Sequence, residues 1–168
     1  MADVSRYYEA NTRWFLRFGQ TTGGPGVIHR GIWGDGVTTT LEALDHVHRL
    51  IQARVPSGTR VLDLGCGVGG SLCRLVELDP TLKGTGVTIS PTQARLAAQR
   101  GPGQRFLTAD FHDLPASLGT FDAAYAIEAW AHATDPDAFM ASTAGRLAPG
   151  GLLLLIDDFV GDDGGPVG

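Results

Sequence analysis

At 168 residues, with 43% hydrophobic and 18% charged side chains, the chain has ordinary globular usage and enough length for one α/β domain with a real core. A formal charge of −5 argues against the broad basic surface that nucleic-acid binding needs, so a small molecule is the expected partner. The longest apolar run, "GGLLLLI" (Gly150 to Ile156), is too short to span a membrane, and "MADVSRYYEANTR" lacks the basic flank and apolar stretch of a signal peptide; a cytoplasmic location is expected.

In chain order, residues 1–37 stand apart. Tyr7, Tyr8, Trp14, Phe15, Phe18 and Trp33 all fall there, followed or interleaved by "GQTTGGPGVIHRGIWGDG". Two readings remain open: a helical cap that packs aromatics on a sheet rim, or an N-terminal helix packed into an ordinary core. Neither makes the segment a strand.

Residues 38–160 alternate strands and helices. "TTTLEALDHVHRLIQARV" places Leu44, Val47 and Ile51 at helical spacing behind a Thr39–Glu42 capping box and stops at "PSG". "RVLDLG" is a short buried strand; Leu72, Leu75 and Val76 resume helical spacing after the glycines. "KGTGVTIS" is a second strand, followed by the helix "SPTQARLAAQR" with Ser90 as N-cap, Pro91 in the first turn and Gln93 closing a capping box. "QRFLTAD" and "FDAAYAIEAW" are the third and fourth strands. Asp135 and Pro136 open the helix "DPDAFMASTAGRL", and "APGG" turns into a fifth strand, "LLLLIDDF". Strands separated by helices require right-handed crossovers, hence a Rossmann-like, doubly wound parallel sheet covered on both faces. Residues 161–168 read as a Gly-rich tail or a truncation point.

"RVLDLGCGVGGSLCRLV" holds Gly65, Gly67 and Gly70, the GxGxxG spacing of a dinucleotide loop, with Asp63 just ahead. At the carboxyl end of a parallel strand, such glycines let a ligand approach the backbone, and the following helix offers free N–H groups to a pyrophosphate or a carboxylate. A dinucleotide also needs an acidic residue about twenty positions on, for the ribose. Thr88 and Ser90 stand there instead, which weighs against nicotinamide.

Five segments, "VLDLGCGVGG", "GVTIS", "LTAD", "FDAAYAIEAWAH" and "LAPGGLLLLIDDF", resemble in type and order the motifs of class I S-adenosylmethionine-dependent methyltransferases. "YYEANTRWFLRFG", "TISPTQARLA" and "YAIEAWAHATDP" are similar, more narrowly, to the sterol, tocopherol and prenyl-diphosphate C-methyltransferase group and to related natural-product enzymes. The resemblance implies S-adenosyl-L-methionine as cofactor. It places Asp63 at the cofactor's ammonium end or the loop backbone, and Gly65, Cys66 and Gly67 along the methionine part. Asp110 and Phe111 fall at the adenine position. An acidic ribose ligand is usual where Thr88 and Ser90 stand, so their hydroxyls, or Gln93, take that task. Glu128 and His132 are the candidates for stabilising charge or taking a proton at the acceptor, with Glu128 also beside the cofactor.

Other residues carry less. Cys66 and Cys73 lack CxxC spacing and read as free thiols; His46 and His48 point to different helix faces, and His112 beside Asp113 reads as a loop pair, so no metal site is expected. The family fold continues past a fifth strand, whereas this chain ends in "VGDDGGPVG"; the exposed fifth strand is expected to be covered by a longer chain or by another chain, such as a second copy. The expected activity is methyl transfer to a small-molecule acceptor, carbon methylation of an isoprenoid-like or natural-product substrate by preference. The alternatives are a nicotinamide oxidoreductase and a non-methylating binding protein or cyclase of the same fold.

Overall fold

The computed structural model describes Val27 and residues 29–159. Tyr7, Tyr8, Trp14, Phe15 and Phe18, and with them the expected helical cap, lie outside these residues, as does the Gly-rich tail. Residues 29–37 form neither helix nor strand, and Trp33 is exposed.

Helix α1 (Thr40–Gln52) opens on the expected capping box: the Thr39 hydroxyl accepts from Glu42 N, and Glu42 accepts from Thr39 N. Its Ala43, Val47 and Ile51 are buried. β1 (Arg60–Leu64) leads through the glycine loop into α2 (Gly70–Leu78), and β2 (Lys83–Thr88) into α3 (Pro91–Arg100). After β3 (Arg105–Thr108), a long connection with one 3-10 turn at Ala116–Leu118 reaches β4 (Phe121–Ile127). A second 3-10 turn, Trp130–His132, then precedes α4 (Pro136–Ala144), capped by the Asp135 carboxylate on Ala138 N, and β5 (Leu147–Ile156) closes the described chain.

The five strands are parallel in the order β3-β2-β1-β4-β5. Strand alternation sends side chains to two cores. Leu62, Leu64, Ala124 and Ala126 pack with Leu118 and Phe139 of α4 on one face. Val61, Ala123 and Tyr125 pack with Ile51 of α1 and Leu72 and Leu75 of α2 on the other. Both faces are thus covered, as a parallel sheet requires.

Two boundaries differ from the sequence expectation. "APGG" does not precede β5 but lies inside it: Leu147 pairs with Phe121 and Leu152 with Ala123, so the intervening residues bulge out, with Gly150 at φ 77°. Pro149 has no N–H for the ladder, and a bulge is where a strand tolerates it. β4 ends at Ile127, and Glu128 takes φ 47°, the one described non-glycine residue with positive φ. β5 borders only β4 among the described strands, and Leu152 is exposed.

Candidate functional site

The strand order reverses between β1 and β4, whose chains leave the sheet in opposite directions, and a ligand site is expected outside their carboxyl ends. A cleft open to solvent lies there. Its wall is built from the loop after β1 (Gly65, Gly67), the end of β2 with α3 (Thr88, Ile89, Gln93), the residues after β3 (Ala109 to His112) and those after β4 (Ile127, Glu128, Ala129, His132, Thr134).

The loop is held by Gly65 N and Cys66 N, which donate to Val87 O at 2.9 and 2.8 Å and tie β1's exit to β2. Gly65 (φ 81°) lies so close to the chain after β4 that a Cβ there would sit 2.6 Å from Ala129 Cβ. At Gly67 (φ 52°) a Cβ would meet no protein atom within 4 Å and would project into open space. Cys66 turns its sulfur against Gly86 of β2, where an added Cβ would come within 2.8 Å; burial and then the Asp63 carboxyl push its thiol far up. It offers backbone, not a nucleophile.

Asp63 does not reach the main cleft. It lines a smaller cavity on the other side of the loop with His29, Gly67, Gly70 and Ser71, at the start of α2. Burial pushes its carboxyl up to about 7, partly offset by the nearby Tyr125 hydroxyl. Oδ2 of Asp63 and the Tyr125 hydroxyl are each buried without a partner of good hydrogen-bond geometry, as is Nε2 of His29. Of these, Asp63 and His29 line the cavity, where a polar, ammonium-bearing ligand end would meet them.

At the end of β2, Thr88 Oγ1 donates to Gln93 Oε1 at 2.8 Å, both side chains buried and both at the cleft. Ser90 is fully buried, accepts from Gln93 N as the N-cap of α3, and does not line the cleft. After β3, Asp110 Oδ1 accepts from His112 N (2.9 Å) and pairs with His112 Nδ1 (2.7 Å), while Asp135 N donates to His112 Nε2 at 3.4 Å. These contacts assign the Nδ1–H tautomer and leave Oδ2 of Asp110 without a partner among the described residues. Phe111 stacks edge-on against Phe139, with ring centroids 5.1 Å apart, and forms an apolar wall.

After β4, Glu128 N donates to Ile156 O at 2.8 Å, which anchors the left-handed residue to β5. Its Oε1 accepts from Arg30 N (2.7 Å) and Arg30 Nε (3.3 Å). His132 lies exposed on the rim. The cleft therefore gathers Gly65, Gly67, Thr88, Gln93, Asp110, Phe111, Glu128 and His132, but not Ser90, and Asp63 and Cys66 only from the far side of the loop. His29 and Arg30 had no signal in the sequence; His112 had one, its spacing of two from Asp110. No group of three or more His, Cys, Asp or Glu that could hold a metal occurs among the described residues.

Residues 62–155 match the family described as a methyltransferase domain. The chain belongs to that family. This methyltransferase domain is 34% identical over 140 residues, 77% of its length and 44% of the relative's, to the 2-methyl-6-phytyl-1,4-hydroquinone methyltransferase of Synechocystis sp.. Its fold overlays the crystal structure of the [4+2]-cyclase SpnF with a TM-score of 0.78 at 30% identity, covering 90% of this chain and 58% of that one. An O-methyltransferase of a Brevibacillus brevis multienzyme, solved with S-adenosyl-L-homocysteine, overlays at TM-score 0.52 and 28% identity, covering 62% and 39%. The chain spans about half the length of the curated relatives it matches. No helix among the described residues is long and apolar enough to cross a membrane.

Proposed function

We propose that this domain binds S-adenosyl-L-methionine across the glycine loop and transfers its methyl group to a small-molecule acceptor, by preference to carbon of an isoprenoid-like or natural-product substrate. One observation carries the reading. The open space over Gly67, the unpartnered Oδ2 of Asp110 and the side chain of Glu128 belong to one cleft at the strand-order reversal, and the buried Asp63 carboxyl lies behind the same loop.

The residues present fit that cofactor. Asp63, with the loop backbone and the N-terminus of α2, would hold the zwitterionic methionine end; Thr88 and Gln93 would meet the ribose; Asp110 and the Phe111 wall would hold the adenine. When bound, the cofactor supplies an activated methyl on a sulfonium. The protein's own work is then alignment and exclusion of water, with Glu128 stabilising positive charge or accepting a proton as the acceptor reacts and His132 on the rim as a second base. The relatives' names, a hydroquinone methyltransferase and an O-methyltransferase, support a ring-bearing or oxygenated acceptor. A cytoplasmic enzyme with free thiols goes with this reading.

Calorimetric titration with S-adenosylhomocysteine and with NAD tests the cofactor, and transfer of labelled methyl to 2-methyl-6-phytyl-1,4-hydroquinone and to simple phenols tests the chemistry. Binding of NAD in place of S-adenosylhomocysteine would overturn the proposal. Tight binding without transfer to any acceptor would favour a non-methylating role, as in the cyclase that shares the fold.

A further inference from the structure

We infer that Arg30 is a positioning residue for Glu128: from a loop 98 residues away it pins one oxygen of the carboxylate and so directs the other toward the reacting centre. The inference rests on the proposed cofactor site and extends it to a residue outside the cleft.

Glu128 occupies a left-handed backbone conformation that is unfavourable for a non-glycine residue and is kept only where its surroundings enforce it. Two contacts enforce it here. Its N–H is held by Ile156 O, and its Oε1 receives both the backbone N–H and Nε of Arg30. Arg30 does not end there, because Nη2 donates to Asp158 Oδ2 just beyond β5. One guanidinium thus joins the loop before α1 to the exits of β4 and β5. Oε2 of Glu128 takes no hydrogen bond from the described residues and remains available to a ligand.

Stability does not explain the arrangement. The side chains of Arg30 and Asp158 are 67% and 77% exposed, and ion pairs in water contribute little to folding. Glu128, at 28%, is the sheltered member, and it lines both the cofactor cleft and a second cavity bounded by Arg30, Ile32, Val47, Ile156 and Asp158. A carboxylate at a wall shared by two cavities must have a set direction to act on either, and a planar fork between two carboxylates sets it better than a single charge.

The test uses binding alone, since S-adenosylmethionine bears a positive sulfonium and S-adenosylhomocysteine a neutral thioether. Calorimetry on the full chain measures the ratio of the two affinities in the wild type, Arg30→Ala, Arg30→Lys, Glu128→Gln and Arg30→Ala/Glu128→Gln, with a thermal melt of each. If Arg30 positions Glu128, Arg30→Ala, which removes the guanidinium but keeps the backbone N–H on Oε1, lowers the preference for the charged cofactor about two- to threefold, the scale of one exposed charge-assisted contact. Arg30→Lys fails to restore it, and Arg30→Ala adds nothing in the Glu128→Gln background. An increased preference would show that Arg30 merely competes for the carboxylate; an unchanged one, full rescue by Lys, or additive effects would likewise overturn the inference. Failure of the cofactor proposal is distinguishable, because the wild type would then bind neither molecule.

Discussion

Asp63 of β1 and Tyr125 of β4 sit opposite each other in the sheet register, and both carry a buried oxygen with no hydrogen-bond partner of good geometry. Neighbouring strands with orphaned polar atoms are unfavourable for folding, and burial accordingly lifts the Asp63 carboxyl from 3.8 to about 7. A carboxyl raised in the folded state favours folding while it is protonated and loses that advantage as it must ionise. The contribution of Asp63 to the stability of the ligand-free protein should therefore decline as pH rises from about 4 to about 7 and level off above. Asp63→Asn should remove this contribution, so that in melts at stepped pH its stability rises more steeply from pH 4 to 7 than the wild type's, while S-adenosylhomocysteine binding is abolished. An unchanged slope would place the titration elsewhere.

His48 works in the opposite sense. It is fully buried with both ring nitrogens unpaired, its ring lies 5.2 Å from that of His29, and its pKa is lowered to about 4 by burial first and the His29 charge next; the Asp45 carboxylate opposes this and Arg74 adds to it. A histidine lowered in the folded state stabilises above the unfolded value near 6.5, and that contribution is lost as pH falls through about 4. His48→Leu removes both the titration and the two orphaned nitrogens. It should raise the melting temperature at pH 5 more than at pH 7.5.

Gly65 and Gly67 should separate folding from binding. An alanine at either takes an unfavourable left-handed backbone, costing about 1–2 kcal/mol. At Gly65 the methyl also collides with Ala129, so Gly65→Ala should melt well below Gly67→Ala. Gly67→Ala should fold and lose S-adenosylhomocysteine affinity, because only a ligand occupies the space its methyl enters. Equal melts with intact binding in both would remove the cofactor from this loop.

Asp110→Ala should weaken S-adenosylhomocysteine binding by roughly 1–3 kcal/mol, the range for a lost hydrogen bond to a sheltered polar group. His112→Ala should cost less, since the backbone N–H of residue 112 still holds Oδ1 of Asp110 and only the ring contact is lost. Calorimetry on the pair decides it: a larger loss for His112→Ala would mean that the imidazole, not Asp110, meets the ligand.

Glu128→Gln keeps the shape and removes the charge. With an acceptor that the labelled-methyl assay turns over, single-turnover rate should fall on the order of 10²-fold, with a much smaller change in S-adenosylhomocysteine affinity. Parallel loss of both would make Glu128 a binding residue.

The sequence by itself determined what depends on near neighbours. The caps at Thr39, Ser90 and Asp135 act over three residues, and each opens a helix as expected. The order of strands and helices, the glycine loop and the motifs that mark the family were legible for the same reason, because periodicity and short motifs are local. Tertiary structure alone decided the rest. Asp63 reads as a strand-end carboxylate, but how strongly its ionisation is opposed depends on burial by α2 and β4. Ser90 and Cys66 sit in the right motifs, yet the hydroxyl caps α3 and the thiol packs on Gly86, because adjacency in sequence does not set which way a side chain faces. Pairing of Arg30 with Glu128 requires the chain to bring together residues 98 apart. Burial, desolvation and long-range contact arise only when the sheet closes its elements around the cleft, and no spacing along the chain encodes them.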